Sequence, residues 1–189
     1  MFYRFRRKLQ TFIPKLNKEL IYEYRYHNVT QVESKINIEV GLLSEENISD
    51  IHNVKYFDLS KIRERLERGD ECYLAYHNGK AISYHWVQYS GTHLLQQSGQ
   101  YYQLLESEAC IYHVRVKKEF YRNRVASHIY TKIIERCLIN EISRIWIYTN
   151  YHNTANRKSL ESIGFSKSEL IYSIKFGSRY YKLASKSYD

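Results

Sequence analysis

Alternating apolar and polar positions, interrupted by runs of helical period, set the order of elements along this chain. In ACIYHVRV (109–116), Cys110, Tyr112, Val114 and Val116 alternate with Ile111, His113 and Arg115, the period of a strand. ECYLAY and KAISYHWVQ are β-rich runs joined through Asn78 and Gly79, residues that tolerate positive φ, which predicts a hairpin over 71–88. Val125, Ile129, Ile133 and Cys137 recur every four residues, with Ala126, Tyr130, Ile134 and Leu138 beside them. That face is as broad as a helix packed on a sheet requires. RIWIYT (144–149) reads as a short buried strand, 153–163 as a helix closed by Gly164, and LIYSIKF and RYYKLA as two strands around Gly177.

Upstream, NIEVGLL (37–43) predicts a first strand, and Ser44 before Glu45 and Glu46 a helix N-cap. A further helix is predicted over 59–68, with Gly69 past its end. The stretch 89–108 has no regular period. The strand–helix–strand unit at the centre implies a crossover onto a mixed sheet, so the fold class is α/β, with helices packed on a sheet. Residues 37–189 are expected to form one domain and residues 1–36 a basic N-terminal extension.

Composition narrows the classes. A chain of 189 residues, 43% hydrophobic with one proline and seven glycines, buries a real core and has no room for a long flexible linker. Cys72, Cys110 and Cys137 include no C-x-x-C pair, which argues against zinc-finger spacing and a disulfide framework and for a reducing, cytoplasmic setting. No run approaches 18 apolar residues, the length of a spanning helix. The net charge of +9 favours an anionic partner, and phosphate cofactor, acidic membrane and nucleic acid all qualify. No nucleic-acid-binding signature accompanies the charge, so no nucleic acid is expected. The opening MFYRFRRKLQTFIPKLNKEL carries six Lys or Arg and one Glu; it reads as a solvated arm, with peripheral membrane contact as the alternative.

The chemistry concentrates between Val114 and Ser127. A strand ending at Val116 runs through KKEFYRNR into a helix, and a helix N-terminus offers unpaired N–H donors and a dipole that favour an anion. Lys117, Lys118, Arg122 and Arg124 surround it. By itself this is equally a solvated basic loop.

VRVKKEFYRNRVAS resembles motif A of the GNAT superfamily of N-acyltransferases, in which R/Q-x-x-G-x-G/A follows a strand and binds the acyl-CoA pyrophosphate through backbone N–H groups. Arg122 takes the first position, Asn123 and Arg124 the next two, Val125 that of the first glycine, and Ser127 that of Gly or Ala. NTANRKSLESIGF (153–165) is similar to the family's motif B through Asn153, Ser159, Gly164 and Phe165. The resemblance covers roughly residues 37–184 and implies a mixed, mostly antiparallel central sheet flanked by helices. It implies acetyl-CoA as acyl donor, held by Val114, Val116, Arg122, Asn123, Arg124, Val125, Ala126, Ser127 and Asn153, and a primary amine of a small molecule or peptide as acceptor. A glutamate early on the central strand is the implied base, Glu108 first and Glu106 second. Leu160 stands where many members carry an acid tyrosine, for which Tyr151 or Tyr172 would have to substitute. Glycine in place of Val125 is expected to tighten acyl-CoA binding. A GNAT-like domain without catalysis, and a basic membrane-surface or nucleic-acid binder, stay open as other readings.

Overall fold

The computed structural model describes residues 14–25 and 30–188. Ten strands and three α-helices follow in the order β1 (Lys15–Arg25), β2 (Glu39–Leu42), α1 (Leu59–Glu67), β3 (Glu71–His77), β4 (Lys80–Gln88), β5 (Thr92–Leu95), β6 (Gln100–Gln103), β7 (Glu108–Val116), α2 (Val125–Ile139), β8 (Arg144–Asn150), α3 (Thr154–Ser162), β9 (Ser166–Phe176) and β10 (Arg179–Ser187) among the described residues. Eight strands make one sheet in the order β10-β9-β1-β8-β7-β4-β3-β2, while β5 and β6 form a separate hairpin. Every neighbouring pair in the large sheet is antiparallel except β7 and β8. This is the mixed, mostly antiparallel sheet the sequence implied.

The elements form where their chemistry favours them. Asn78 (φ 50°) and Gly79 (φ 70°) take the two positive-φ positions of the β3–β4 turn, which matches the twist of the flanking strands. Asp58 caps α1 by accepting from Ser60 N. Asn153 caps α3 by accepting from Asn156 N at 3.2 Å. The helix expected after Ser44 is instead a 3-10 helix at Ile48–Asn53. There the Asn47 side chain accepts from Ser44 N at 2.7 Å and donates to Leu42 O, a local alternative that competes with helical pairing.

The sheet separates two cores. Against one face lie α2 and α3, which bury Val125, Ile129, Ile133 and Leu160 on Leu20, Tyr22 and Ile147. Against the other lie the 3-10 helix, α1 and the β5–β6 hairpin, which bury Ile51, Ile62 and Leu95 on Leu74, Trp86 and Trp146. The three cysteines are buried and free, acting as small apolar residues.

The main departure is β1. Residues 15–25, expected within an extension outside the domain, run through the interior of the sheet, with β8 on one side and β9 on the other. Leu20 and Tyr22 face one core and Ile21 the other. Glu19 and Glu23 are buried within the sheet because partners meet them: Ser98 Oγ donates to Glu19, and Arg144 and Arg25 pair with Glu23. Residues 1–13, the remainder of the basic opening, lie outside the described residues.

From the described start at Thr30, the chain lies against α2 on its way to β2. Gln31 donates to Glu135, and His128 lies 3.1 Å from Glu33 and 3.2 Å from Val32 O. Ser34 and Lys35 both donate to the carbonyl of Asn123.

Candidate functional site

The site begins as a defect in the pairing of β7. Arg115 faces Tyr84 and Tyr112 faces Trp86, so His113 and Val114 together oppose the single residue His85. This is a β-bulge, with His113 at φ 46°, and a bulge bends its strand and leaves the extra residue without a ladder partner. Parallel pairing of β7 with β8 is confined to Glu108–Ile111 against Arg144–Ile147. Beyond those residues β8 stays with β1, and a groove of about 810 Å³ lies between the parted strand ends.

The turn from β7 into α2 forms one end of that groove. Arg122 (φ 65°) and Arg124 (φ 58°) both occupy the left-handed region, an arrangement that costs a non-glycine residue about 1 kcal/mol or more. The turn is held from behind, since Lys35 N–H donates to Asn123 O at 2.9 Å and Ser34 Oγ at 3.2 Å. Among the described residues no side chain caps α2, whose first backbone acceptor, Arg124 O, is used by His128 N. The amides of Val125, Ala126 and Ser127 therefore have no intrahelical acceptor. Arg122, Arg124 and Lys158 line the same end of the groove, so N–H donors, helix dipole and three cations coincide.

Of the residues implicated from sequence, Val114, Val116, Arg122, Arg124, Val125, Ala126, Ser127 and Asn153 line the groove together. Asn123 does not; its carbonyl is used by Ser34 and Lys35. Val125 is the first residue of α2, 2% exposed and packed in the core, while the positive φ of this turn falls on Arg122 and Arg124. Leu160 is fully buried beneath α3.

Glu108 and Tyr151 stand apart from the groove lining. Glu108 is at the paired end of β7, where Arg144 Nη1 donates to it at 2.7 Å and Leu105 N at 3.3 Å. It shares Arg144 with Glu23 and is itself 6% exposed, in an ion pair whose arginine is half-buried. The Tyr151 ring lies between Lys18 and the Arg157 guanidinium, 4.9 Å from the latter. Tyr172 packs similarly against Lys18.

The polar groups at the base of the groove come from elements that the sequence did not single out. Tyr148 on β8 lines the groove, and its hydroxyl lies 3.1 Å from His93 Nε2 on β5. Gln88 uses its amide NH2 on Ser90 O and Thr92 O, so its Oε1 must accept from His93 Nδ1 at 2.7 Å. That places the His93 proton on Nδ1 and makes Nε2 the acceptor of the Tyr148 hydroxyl. Burial, then the charges of His113, Arg68 and Arg65, lower His93 to a pKa of about 4, so the imidazole is neutral. Burial raises the Tyr148 phenol above its usual value. His113, at the bulge, accepts at Nδ1 from Arg65 at 2.8 Å and contacts Gln96 through Nε2; burial and Arg65 lower it to about 4.

The loop between β5 and β6 closes this base. Asn150 donates to Gln97 Oε1 at 2.6 Å, Ser173 to Gln97 O at 2.9 Å, and Ser98 to Glu19 Oε2 at 2.7 Å. Gly99, at φ 68°, lies so close to β10 that a Cβ would fall 2.6 Å from Tyr180 Cβ. Burial raises the pKa of Glu19, opposed by the Ser98 hydroxyl and the backbone of Gln97 and Ser98. The fold of residues 96–99 therefore depends on β1, β8, β9 and β10 at once.

A family model, Acetyltransferase (GNAT) family, matches residues 41–165. No curated protein matches the chain in sequence. Among solved structures it is similar to a putative acetyltransferase from the GNAT family of Novosphingobium aromaticivorans, with a TM-score of 0.60 and 11% identity over 85% of this chain and 63% of that one. It is also similar to an acetyltransferase from the GNAT family of Colwellia psychrerythraea, with a TM-score of 0.58 and 13% identity over 91% of this chain and 57% of that one. The Escherichia coli ribosomal-protein-S18-alanine N-acetyltransferase gives a TM-score of 0.53 and 13% identity over 69% of this chain and 78% of that one. The chain spans less than two thirds of the length of the first two structures. At these identities the likeness is one of fold.

Proposed function

The chain belongs to the GNAT family of acetyltransferases, and on that premise we propose that it transfers an acyl group, acetyl in the first instance, from acyl-CoA to a primary amine. The observation that carries this reading is the meeting, in one groove, of the parted ends of β7 and β8 with the uncapped N-terminus of α2. The residues present fit the donor. The amides of Val125, Ala126 and Ser127 with Arg122, Arg124 and Lys158 suit a pyrophosphate. The backbone of Val114 and the Asn153 side-chain amide suit an extended amide-bearing arm. Acetyl-CoA, when bound, supplies a thioester carbonyl and a thiolate leaving group.

The chain's own groups then govern position and protons. Val114 has no ladder partner at the bulge, so its backbone is available to the carbonyl oxygen, where negative charge develops. Tyr148 directs its hydroxyl proton to His93 and lines the groove, so its oxygen can take a proton from the attacking amine. As the C–N bond forms and the C–S bond breaks, the amine proton passes to Tyr148 while the phenolic proton moves to His93. Burial disfavours a charged His93, so the proton returns through Tyr148 to the sulfur. Glu108 and Tyr151 take no part in this path.

Two measurements test the reading. Acetyl-CoA in excess should raise the melting temperature, because a ligand specific to the folded state stabilises it. Thiol release from acetyl-CoA should then depend on an added amine. A protein that no acyl-CoA stabilises is no acyltransferase; one that is stabilised but releases no thiol with any amine is a binding domain.

A further inference from the structure

The groove continues past Tyr112 and His113 into a smaller cavity of about 240 Å³, walled by Lys61, Glu64, Arg65 and Arg68 of the α1 region and by His93 and Gln96 of the hairpin. Its charges do not balance. Arg68 is matched by Asp70, with its Nη2 at 2.5 Å from Oδ2. Arg65 and Lys61 have no carboxylate within ion-pair distance among the described residues, and Glu64 can offset only one of them.

Arg65 is the informative residue. Its guanidinium lies on three aromatic rings, 4.9 Å from Phe57, 5.0 Å from Trp86 and 5.1 Å from Tyr112. Its hydrogen bond goes to a neutral imidazole, His113, and its Nη1 has no partner among the described residues. Ring faces and an imidazole orient a guanidinium without neutralising it. Arginine cannot shed its proton, and a partly desolvated charge calls for a counter-ion. A cavity with a net cation is also a poor place for a second ammonium group.

We propose that this cavity takes the acceptor, and that the acceptor is a small amine that also bears a carboxylate, of amino-acid or ω-amino-acid type. This rests on the acyltransfer reading above. The carboxylate meets Arg65 and Lys61, and the amine, in its neutral form, reaches the Tyr112–His113 end where the cavity opens into the groove beside Tyr148. The cavity volume falls below that of sites for drug-sized ligands, which suits a small molecule and not a folded protein surface, and its net positive charge disfavours a polyamine.

The test is thiol release from acetyl-CoA with α-amino acids and ω-amino acids of graded length, each compared with its own primary amide, and with spermidine. The carboxylates are expected to exceed their amides in kcat/KM by about tenfold or more, the weight of one charge-assisted contact. In Lys61→Glu, a substitution on an exposed side chain, that preference should shrink or reverse, while the melting shift with acetyl-CoA stays as in the parent. Arg65→Gln should raise KM for the carboxylate more than it lowers kcat. Equal use of acid and amide, preference for spermidine, or no carboxylate turned over would overturn the proposal. Failure of every acyl-CoA to stabilise the protein would instead overturn the acyltransfer reading beneath it.

Discussion

The backbone N–H of Lys35 donates to the carbonyl of Asn123 at 2.9 Å, joining the segment ahead of β2 to the turn that opens α2. The bond falls between two residues with φ near 60°, where an unsupported turn would relax into a less costly conformation. It ties the shape of the anion-binding end to a part of the chain outside the region matched by the family.

Replacing Lys35 by proline removes that N–H and keeps the residue count. Lys35→Pro is expected to lose about 1 kcal/mol of stability and to weaken acetyl-CoA binding about three- to tenfold. Lys35→Ala, which keeps the N–H, should do neither. Titration calorimetry on both variants decides the point, and equal affinities would detach the turn from this segment.

Val125 carries the opposite lesson from its motif position. Because its side chain is 2% exposed in the core, Val125→Gly should cost about 2 kcal/mol and not tighten cofactor binding. Arg124→Gly should relieve about 1 kcal/mol of backbone strain, raising the melting temperature by about 2–4 °C. It also removes a groove cation, so acetyl-CoA binding should weaken. Thermal melts with and without acetyl-CoA read both effects.

Tyr148→Phe keeps the ring and removes the hydroxyl. A fall in kcat on the order of 10²-fold is expected, with the acetyl-CoA melting shift unaltered. Glu108→Gln, by contrast, should lower the melting temperature by removing one of the two carboxylates paired with Arg144 while leaving the pH profile of turnover as it was. If Glu108→Gln abolished turnover in folded protein, the assignment of Glu108 to structure would fail.

His85 offers a pH prediction. It is fully buried against Tyr130, neither ring nitrogen has a partner among the described residues, and burial holds its pKa near 3. The unfolded chain binds a proton at this residue near pH 6.5 and the folded protein does not until about pH 3. Between those values the unfolded state holds more protons, so stability falls as pH falls, by about 1.4 kcal/mol per unit for this residue. His93 and His113, both held near 4, add in the same direction. His85→Leu should melt higher than the parent at pH 5 by more than at pH 8, since it also removes an orphaned polar group worth about 1–3 kcal/mol. An equal difference at both pH values would show that His85 is protonated or paired in solution.

How far the sequence was legible follows from what each residue had to announce. The β3–β4 hairpin, β7, α2, β8, α3 and the closing strands show their period or turn chemistry locally, and the groove residues of the β7–α2 turn follow from a local motif. β1 was hidden because it begins within a basic opening that reads as a solvated arm, and Ser98 and Arg144, the partners that let Glu19 and Glu23 be buried, are distant in the chain. The hairpin of β5 and β6 has strands of four residues, too short to display a period, so His93 gave no signal. Tyr148 could have been found: in RIWIYT it shares a face with Trp146 and not with Ile145 and Ile147. Arg65 could not, since a charged position on an amphipathic helix looks solvated until the aromatic rings of other strands are placed around it.

The place of β1 in the sheet also orders events during synthesis. This strand leaves the ribosome before almost everything else that is described, yet Glu19 pairs with Asn150 on one side and with Ile171 on the other. Domains often fold as they emerge, but β1 cannot be paired on both sides until β8 and β9 have been made. Leu20, Ile21 and Tyr22 must wait until then, and pairings so remote in sequence close slowly. The segment that completes the sheet is thus, while the chain is nascent, an apolar stretch open to aggregation and a natural place for a chaperone to bind.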